Sequence, residues 1–198
     1  PALADLSNPL RIMKIMDDSA HSDNIIEAEF PASDIGHAQF GFNIPNAHLR
    51  AALYERANTL ENLTILKTGF SSFEPSASAI TVRFENNTSV QAKMIIGADG
   101  RTSPVRKFSG ITVSEKPYGQ SAITCVINHS RAHNDTSTEF HRPGGPFALV
   151  PLPGHRSSVV WVEKTAKADA LLKLKKQEFT TLLQDQTRNI LGGITLET

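Results

Sequence analysis

Between residues 120 and 163 the chain breaks into four short stretches of β-type sequence, 120–128, 136–141, 147–150 and 157–163. Pro143-Gly144-Gly145-Pro146 and Pro153-Gly154 punctuate them. None is long enough for a globular helix, and the turn residues between them force the chain back on itself at close intervals. The consequence is an antiparallel sheet, which fixes the character of the C-terminal half before any other element is considered.

The remaining elements follow from periodicity and end signals. Ile12, Ile15 and Asp17, then Ile25, Ala28 and Phe30, suggest two strands around a polar turn over residues 18–23. Pro45-Asn46 opens a helix on which Leu49, Ala52, Leu53, Ala57 and Leu60 recur at helical spacing, with Asn46 as its cap. Three β segments are expected next, at 64–70, 79–85 and 89–96, the last two joined by the turn Asn86-Asn87 into a meander. Ser103-Pro104 starts a short helix that Gly110 ends, because Ser caps, Pro suits the first helical position and Gly the exit. Leu171, Leu172 and Leu174, then Phe179, Leu182, Leu183, Ile190 and Leu191, mark a helical C-terminal region closed by Gly192-Gly193.

Lys plus Arg and Asp plus Glu both number 20, so no net field steers the 198-residue chain toward nucleic acid. The apolar stretches are far too short to cross a bilayer, and the N-terminal residues lack a signal peptide's pattern. A single cysteine, Cys125, excludes an internal disulfide and reads as an inert buried thiol; a reducing, cytoplasmic setting is expected. His129 and His133 have the spacing of a metal pair on a helix, but their surroundings are not helical and carry no His-Glu-x-x-His pattern. No metal is assigned there, and no acid, base or nucleophile anywhere. The chain begins with Pro1 rather than methionine and ends at Thr198 without a capping signal, so an internal piece of a longer protein is expected.

The segment richest in chemistry runs from Met94 to Arg106, where an apolar strand meets Gly97-Ala98-Asp99-Gly100 and then a helix start. Two glycines let a backbone approach a ligand closely, and free amides at a helix N-terminus suit a pyrophosphate. Asp99 could accept from a ribose hydroxyl or from backbone amides, and Arg106 could pair with a phosphate or with a surface carboxylate. Spacing alone favours a purely structural turn, since glycine turns between a strand and a helix are common.

With its neighbours this segment resembles the FAD-dependent aromatic hydroxylases, and most nearly their ubiquinone-biosynthesis branch. Gly97, Asp99, Gly100, Ser103, Val105 and Arg106 resemble the family's Asp-Gly fingerprint. Tyr118-Gly119-Gln120, the run Gly145-Pro146-Phe147-Ala148-Leu149-Val150-Pro151-Leu152 with Phe140 before and Trp161 after it, and Phe42-Asn43-Ile44-Pro45-Asn46 are similar to other segments of that branch. The resemblance implies a mixed α/β (α+β) fold: an antiparallel substrate-domain sheet with helices, plus the β-meander and Asp-Gly part of an FAD-binding domain. It implies substrate-domain strands in 1–41, a partial FAD-binding domain in 42–117 and the substrate-domain sheet with C-terminal helices in 118–198.

The same resemblance implies FAD as cofactor and NAD(P)H as co-substrate, with one atom of oxygen passing to a phenolic or polyprenyl-phenol ring; the cofactor carries the hard chemistry. Gly97, Asp99, Gly100 and Arg106 would contact cofactor, Asn46 would either lie near the flavin or serve only as a cap, and Phe147, Leu149 and Pro151 would line the substrate pocket or simply fill the core. The implied parent admits peripheral attachment to the inner membrane and self-association. Neither the family's Gly-x-Gly-x-x-Gly turn nor its downstream Gly-Asp segment occurs in these residues, so the chain by itself is expected to be inactive and to bind FAD weakly or not at all. The competing readings are another oxidoreductase on the same scaffold, such as a polyprenyl reductase or halogenase, and a flavin-free binding or scaffold module.

Overall fold

The computed structural model describes residues 3–19 and 25–197. The first part of the chain gives β1 (Asn8–Leu10), β2 (Ile12–Asp17), β3 (Ile26–Pro31), β4 (Gly41–Asn43) and α1 (Asn46–Asn58). A middle part gives β5 (Phe70–Pro75), β6 (Ile80–Phe84), β7 (Ser89–Ala92) and α2 (Pro104–Phe108). The last part gives β8 (Gln120–His129), β9 (Thr136–His141), β10 (Phe147–Leu152), β11 (Arg156–Lys164), α3 (Thr165–Leu171), α4 (Lys176–Gln186) and β12 (Ile194–Leu196). Two compact units result: one holds the chain up to Arg56 together with Pro117 onward, the other Ala57–Lys116. Residues 42–56 thus fall with the large sheet, because β4 pairs with β1 and both lie against β10.

The larger unit is built on a seven-stranded sheet in the order β12-β8-β11-β10-β9-β2-β3. The four expected C-terminal strands form its centre with antiparallel neighbours, as their short lengths and Gly/Pro turns require. Two features depart from the sequence reading. Strand β2 enters this sheet parallel to β9, pairing Met16 with Phe140, and β12 adds an edge strand after Gly193 where no element was expected. The β2–β3 pair is antiparallel as expected, while most of the turn between them lies outside the described residues.

Alternation decides what the sheet buries. In β11, Ser157, Val159, Trp161 and Glu163 point to one face and are buried. Phe147 pairs with Trp161 on one side and Phe140 on the other, so the three rings share that face at centroid separations of 5.8 and 6.0 Å. Helix α4 lays Phe179 and Leu183 over them, and α3 adds Ala168 and Leu171. Each large side chain so removed from water contributes about 1.5–3 kcal/mol. Both helices are short and weakly amphipathic, and this contact rather than intrinsic propensity holds them.

The smaller unit carries the antiparallel sheet β5-β6-β7. The hairpin at Asn86-Asn87 forms as expected: Asn87 adopts a left-handed φ of 63°, and the Asn86 carboxamide accepts from the Thr88 amide at 3.2 Å. Helix α2 packs on β5 through Phe108, which meets Phe70 and Phe73 at 6.1 and 5.2 Å. The expected strands at 64–70 and 89–96 are corrected. The first strand of this sheet is Phe70–Pro75, and the last stops at Ala92. Residues 64–67 and 94–96 form no ladder with any described residue, and Leu66, Met94 and Ile96 are exposed. A strand exists only with a partner for its amides and carbonyls, which an apolar pattern cannot supply.

Candidate functional site

The Asp-Gly turn lies in the smaller unit, and its side chains are turned on their own backbone. The Val105 amide donates to Asp99 Oδ2 at 2.9 Å, and the Arg106 amide donates to Ser103 Oγ at 3.0 Å. Ser103, 4% exposed, caps α2, and the Ser103 hydroxyl together with the Val105 amide holds the Asp99 carboxyl below the usual carboxylate range. The first-turn amides that the sequence reading offered to an anion are therefore occupied by this capping pair. The Arg106 guanidinium donates to the Arg101 carbonyl at 2.7 Å.

The two glycines have different causes. Gly100 adopts φ +90° beside open space, a conformation that other residues rarely take. At Gly97 a Cβ would come within 3.3 Å of the Val105 side chain and 3.4 Å of Ser103 Oγ, so the close seating of α2 on the turn accounts for it. Of the two roles the sequence left open for Asp99, acceptance from backbone amides is the one its surroundings display.

A second set of residues meets in the larger unit. The segment Phe42–Ala47 crosses the sheet face opposite the aromatic core and encloses a cavity of about 590 Å³ with Val126, Val150, Leu152 and Ser158. Asn46 lines it. The helix begins at Asn46, and the Pro45 carbonyl accepts the His48 and Leu49 amides at 3.0 and 3.2 Å. Asn46 is thus the first helical residue rather than the cap. Asn43, also among the lining residues, has a buried side-chain nitrogen with no hydrogen-bond partner among the described residues. A buried donor without a partner costs on the order of 1–3 kcal/mol.

The predicted pocket residues of β10 point the other way. Phe147 and Leu149 belong to the aromatic core at 0% and 2% exposure, and Pro151 is fully buried on the same parity. Their alternates Val150 and Leu152 line the cavity. In a strand covered on both faces, apolar residues stand at every position, and composition cannot say which parity faces a ligand. Sequence reasoning does not single out Asn43, because nothing in a sequence reveals that a donor will lack a partner.

The histidines settle into the fold. His129 Nδ1 donates to the Arg131 carbonyl at 2.7 Å, which leaves Nε2 to accept from Ser157 Oγ at 3.1 Å. His133 Nε2 donates to the Leu152 carbonyl at 2.9 Å and its Nδ1 accepts from the Asp135 amide at 3.1 Å. Burial pushes the His129 pKa down, so its neutral form is the folded form. An imidazole depressed in this way stabilises the fold above its ordinary pKa, and that contribution falls away as pH drops from there through the folded value. Unfolding midpoints measured against pH should fall more steeply on acidification in the wild type than in His129→Asn. Burial also pushes the Cys125 thiol up to about 11, so little thiolate exists at neutral pH.

The comparisons with known proteins agree with this architecture. The family model described as an FAD binding domain matches residues 36–193. Ubiquinone hydroxylase UbiL of Rhodospirillum rubrum is 33% identical over 155 residues, covering 78% of this chain and 36% of that protein. The 3-demethoxyubiquinol 3-hydroxylase of Escherichia coli is 24% identical over 167 residues, covering 84% of this chain and 43% of that one. The chain therefore spans roughly two fifths of the length of such relatives. Among solved structures, PqsL of Pseudomonas aeruginosa, described as a probable FAD-dependent monooxygenase, superposes over 100% of this chain and 57% of its own with a TM-score of 0.78 at 15% identity. Klebsiella pneumoniae HpxO, solved with FAD and uric acid, gives 0.67 at 18% identity, covering 92% of this chain and 46% of its own. At such identities these two share the fold. The breadth of the family match, over most of the sheet, the meander and the Asp-Gly turn, makes this chain a member of the FAD-binding domain family.

Proposed function

We infer that this chain is part of an FAD-dependent monooxygenase that hydroxylates a phenolic or polyprenyl-phenol ring in ubiquinone biosynthesis, with NAD(P)H and oxygen as co-substrates. The observation that carries the reading is the cavity beneath Phe42–Ala47, where Asn43 and Asn46 meet an apolar wall of Val126 and Val150. The flavin ring, flat and bearing carbonyl oxygens, fits that set: apolar side chains for its faces and carboxamides for its polar edge. The family membership and the ubiquinone hydroxylases among the relatives support the same chemistry.

Bound flavin would supply the reducing and oxygen-transferring power. The protein's part is to position and to exclude water. Asn43 and Asn46 would hold the ring's polar edge, and Val126, Val150 and Leu152 would keep the apolar side dry. In the smaller unit, Gly97 and Gly100 would let cofactor approach the backbone, Asp99 would keep the turn in shape through Val105, and Arg106 would offer its remaining donors to a phosphate or ribose. No acid, base or nucleophile is assigned. The reading includes peripheral attachment of the parent protein to a membrane, where an apolar substrate would be met, and self-association through exposed apolar surface.

The test is a flavin fluorescence titration with the purified chain. Weak saturable quenching is expected, weakened about tenfold in Asn43→Leu because the donor is lost. An Asn43→Leu curve that overlays a saturable wild-type curve would overturn the assignment of this cavity to the flavin ring.

A further inference from the structure

The turn between α3 and α4 combines two properties that a surface rarely shows together. Leu172 is 66% exposed and Leu174 36%, while Lys173, Lys175 and Lys176 alternate with them along Leu171-Leu172-Lys173-Leu174-Lys175-Lys176. The three lysines are exposed and make no ion pair among the described residues. From Lys164 to Glu178 there are five lysines against Asp169 and Glu178, in a chain whose net charge is zero. The positive charge is thus gathered where the leucines protrude.

Beside this turn runs an open apolar groove of about 410 Å³, with Leu171, Phe179 and Leu196 on its floor and Leu172, Leu174 and Lys176 on its rim. We propose that this turn and groove form a docking surface for an anionic phospholipid bilayer, with Lys173, Lys175 and Lys176 on the headgroups and Leu172 and Leu174 in the acyl layer. Interspersed cations and leucines on a projecting turn match the interface between headgroup and acyl chain, which is anionic outside and apolar just beneath. An acidic protein would satisfy the lysines but leave the leucines in water. The groove supplies a place for hydrocarbon reaching past Leu172.

The proposal deepens the peripheral-membrane part of the reading above and rests on that part, but not on flavin binding. It is tested with the whole chain by cosedimentation with vesicles of phosphatidylcholine alone and of phosphatidylcholine with phosphatidylglycerol in equal parts. Binding should be confined to the anionic vesicles. Replacing Lys173, Lys175 and Lys176 together with Gln should weaken it roughly a hundredfold, and Leu172→Gln with Leu174→Gln about tenfold. The substituted side chains are exposed, and unchanged circular dichroism and thermal midpoint would establish that the variants are folded.

Failure of the wild type to bind anionic vesicles would overturn both the membrane reading and this surface. Binding that both variants retain would overturn this surface alone. Binding to soluble polyglutamate as tight as to the anionic vesicles, unaffected by the leucine changes, would mean an acidic protein partner and would likewise overturn it.

Discussion

Replacement of Phe147 by alanine should cost about 3–5 kcal/mol of folding stability, whereas Val150→Ala on the same strand should cost about 1 kcal/mol. Phe147 is wholly buried, with Phe140 at 5.8 Å, Trp161 at 6.0 Å and the Arg142 guanidinium 5.3 Å from its ring centre. Its removal leaves a hole at the point where strands β9, β10 and β11 contribute to one aromatic layer, and the neighbours are too constrained by their ladders to collapse into it. Val150 has the opposite parity and borders a cavity already present, so its methyls have less to lose. Urea unfolding followed by the fluorescence of Trp161, the sole tryptophan, would measure both. Equal losses at the two positions would contradict the division of β10 into a core face and a cavity face. In the flavin titration the ranking should reverse, with Val150→Trp abolishing the signal by filling the cavity and leaving the aromatic layer intact.

The second large effect is expected at Arg142. Its guanidinium donates to Asp18 at 3.0 Å and to the Gln186 carbonyl at 2.8 Å, and it lies 4.7 Å from the Phe140 ring centre. Asp18 is 9% exposed and also accepts from Arg188 Nε at 3.1 Å. Burial alone would push the Asp18 carboxyl up; hydrogen bonds from Arg188 and Arg142 more than offset this and leave it below its ordinary value. Burial pushes Arg142 down, and the bond to Asp18 opposes that shift. Arg142→Met should then destabilise by about 3 kcal/mol, because it leaves a buried carboxylate with half of its partners. The double change Arg142→Met with Asp18→Asn should recover part of the loss, since no unpaired charge remains.

The pH dependence follows from the sign of the Asp18 shift. A carboxyl depressed in the folded state stabilises above its ordinary value, and that contribution disappears as pH falls through the folded value. The wild type should lose stability with acid faster than Arg142→Met does. An Arg142→Met protein with an unchanged acid slope and unchanged midpoint would show that this cluster contributes nothing to the fold.

Several elements of the fold could be read directly from the residues. The four central strands, the Asn86-Asn87 hairpin and the Ser103-Pro104 to Gly110 helix carry their own signals in turn residues and caps, which act within a few residues of chain. The short strand β12 escaped because three residues after Gly192-Gly193 have no periodicity to detect, and only the exposed edge of β8 makes them a strand. The expected strand at 64–70 and the second half of that at 89–96 failed for the converse reason: their apolar residues are real, but the ladder that defines a strand depends on a neighbour.

The candidate site divides along the same line. The sequence alone determined the kind of chain this is: the Asp-Gly turn, the capped short helix after it and the Gly/Pro-divided strands are local features, and the family membership rests on them. Only the tertiary structure decided how those residues are used. It turned Asp99 and Ser103 onto the amides of α2, set Phe147, Leu149 and Pro151 into the core and Val150 and Leu152 onto the cavity, and left Asn43 Nδ2 without a partner among the described residues. Strand parity and the pairing of a buried donor depend on which distant segments pack together, and no window of sequence contains both members of such a contact.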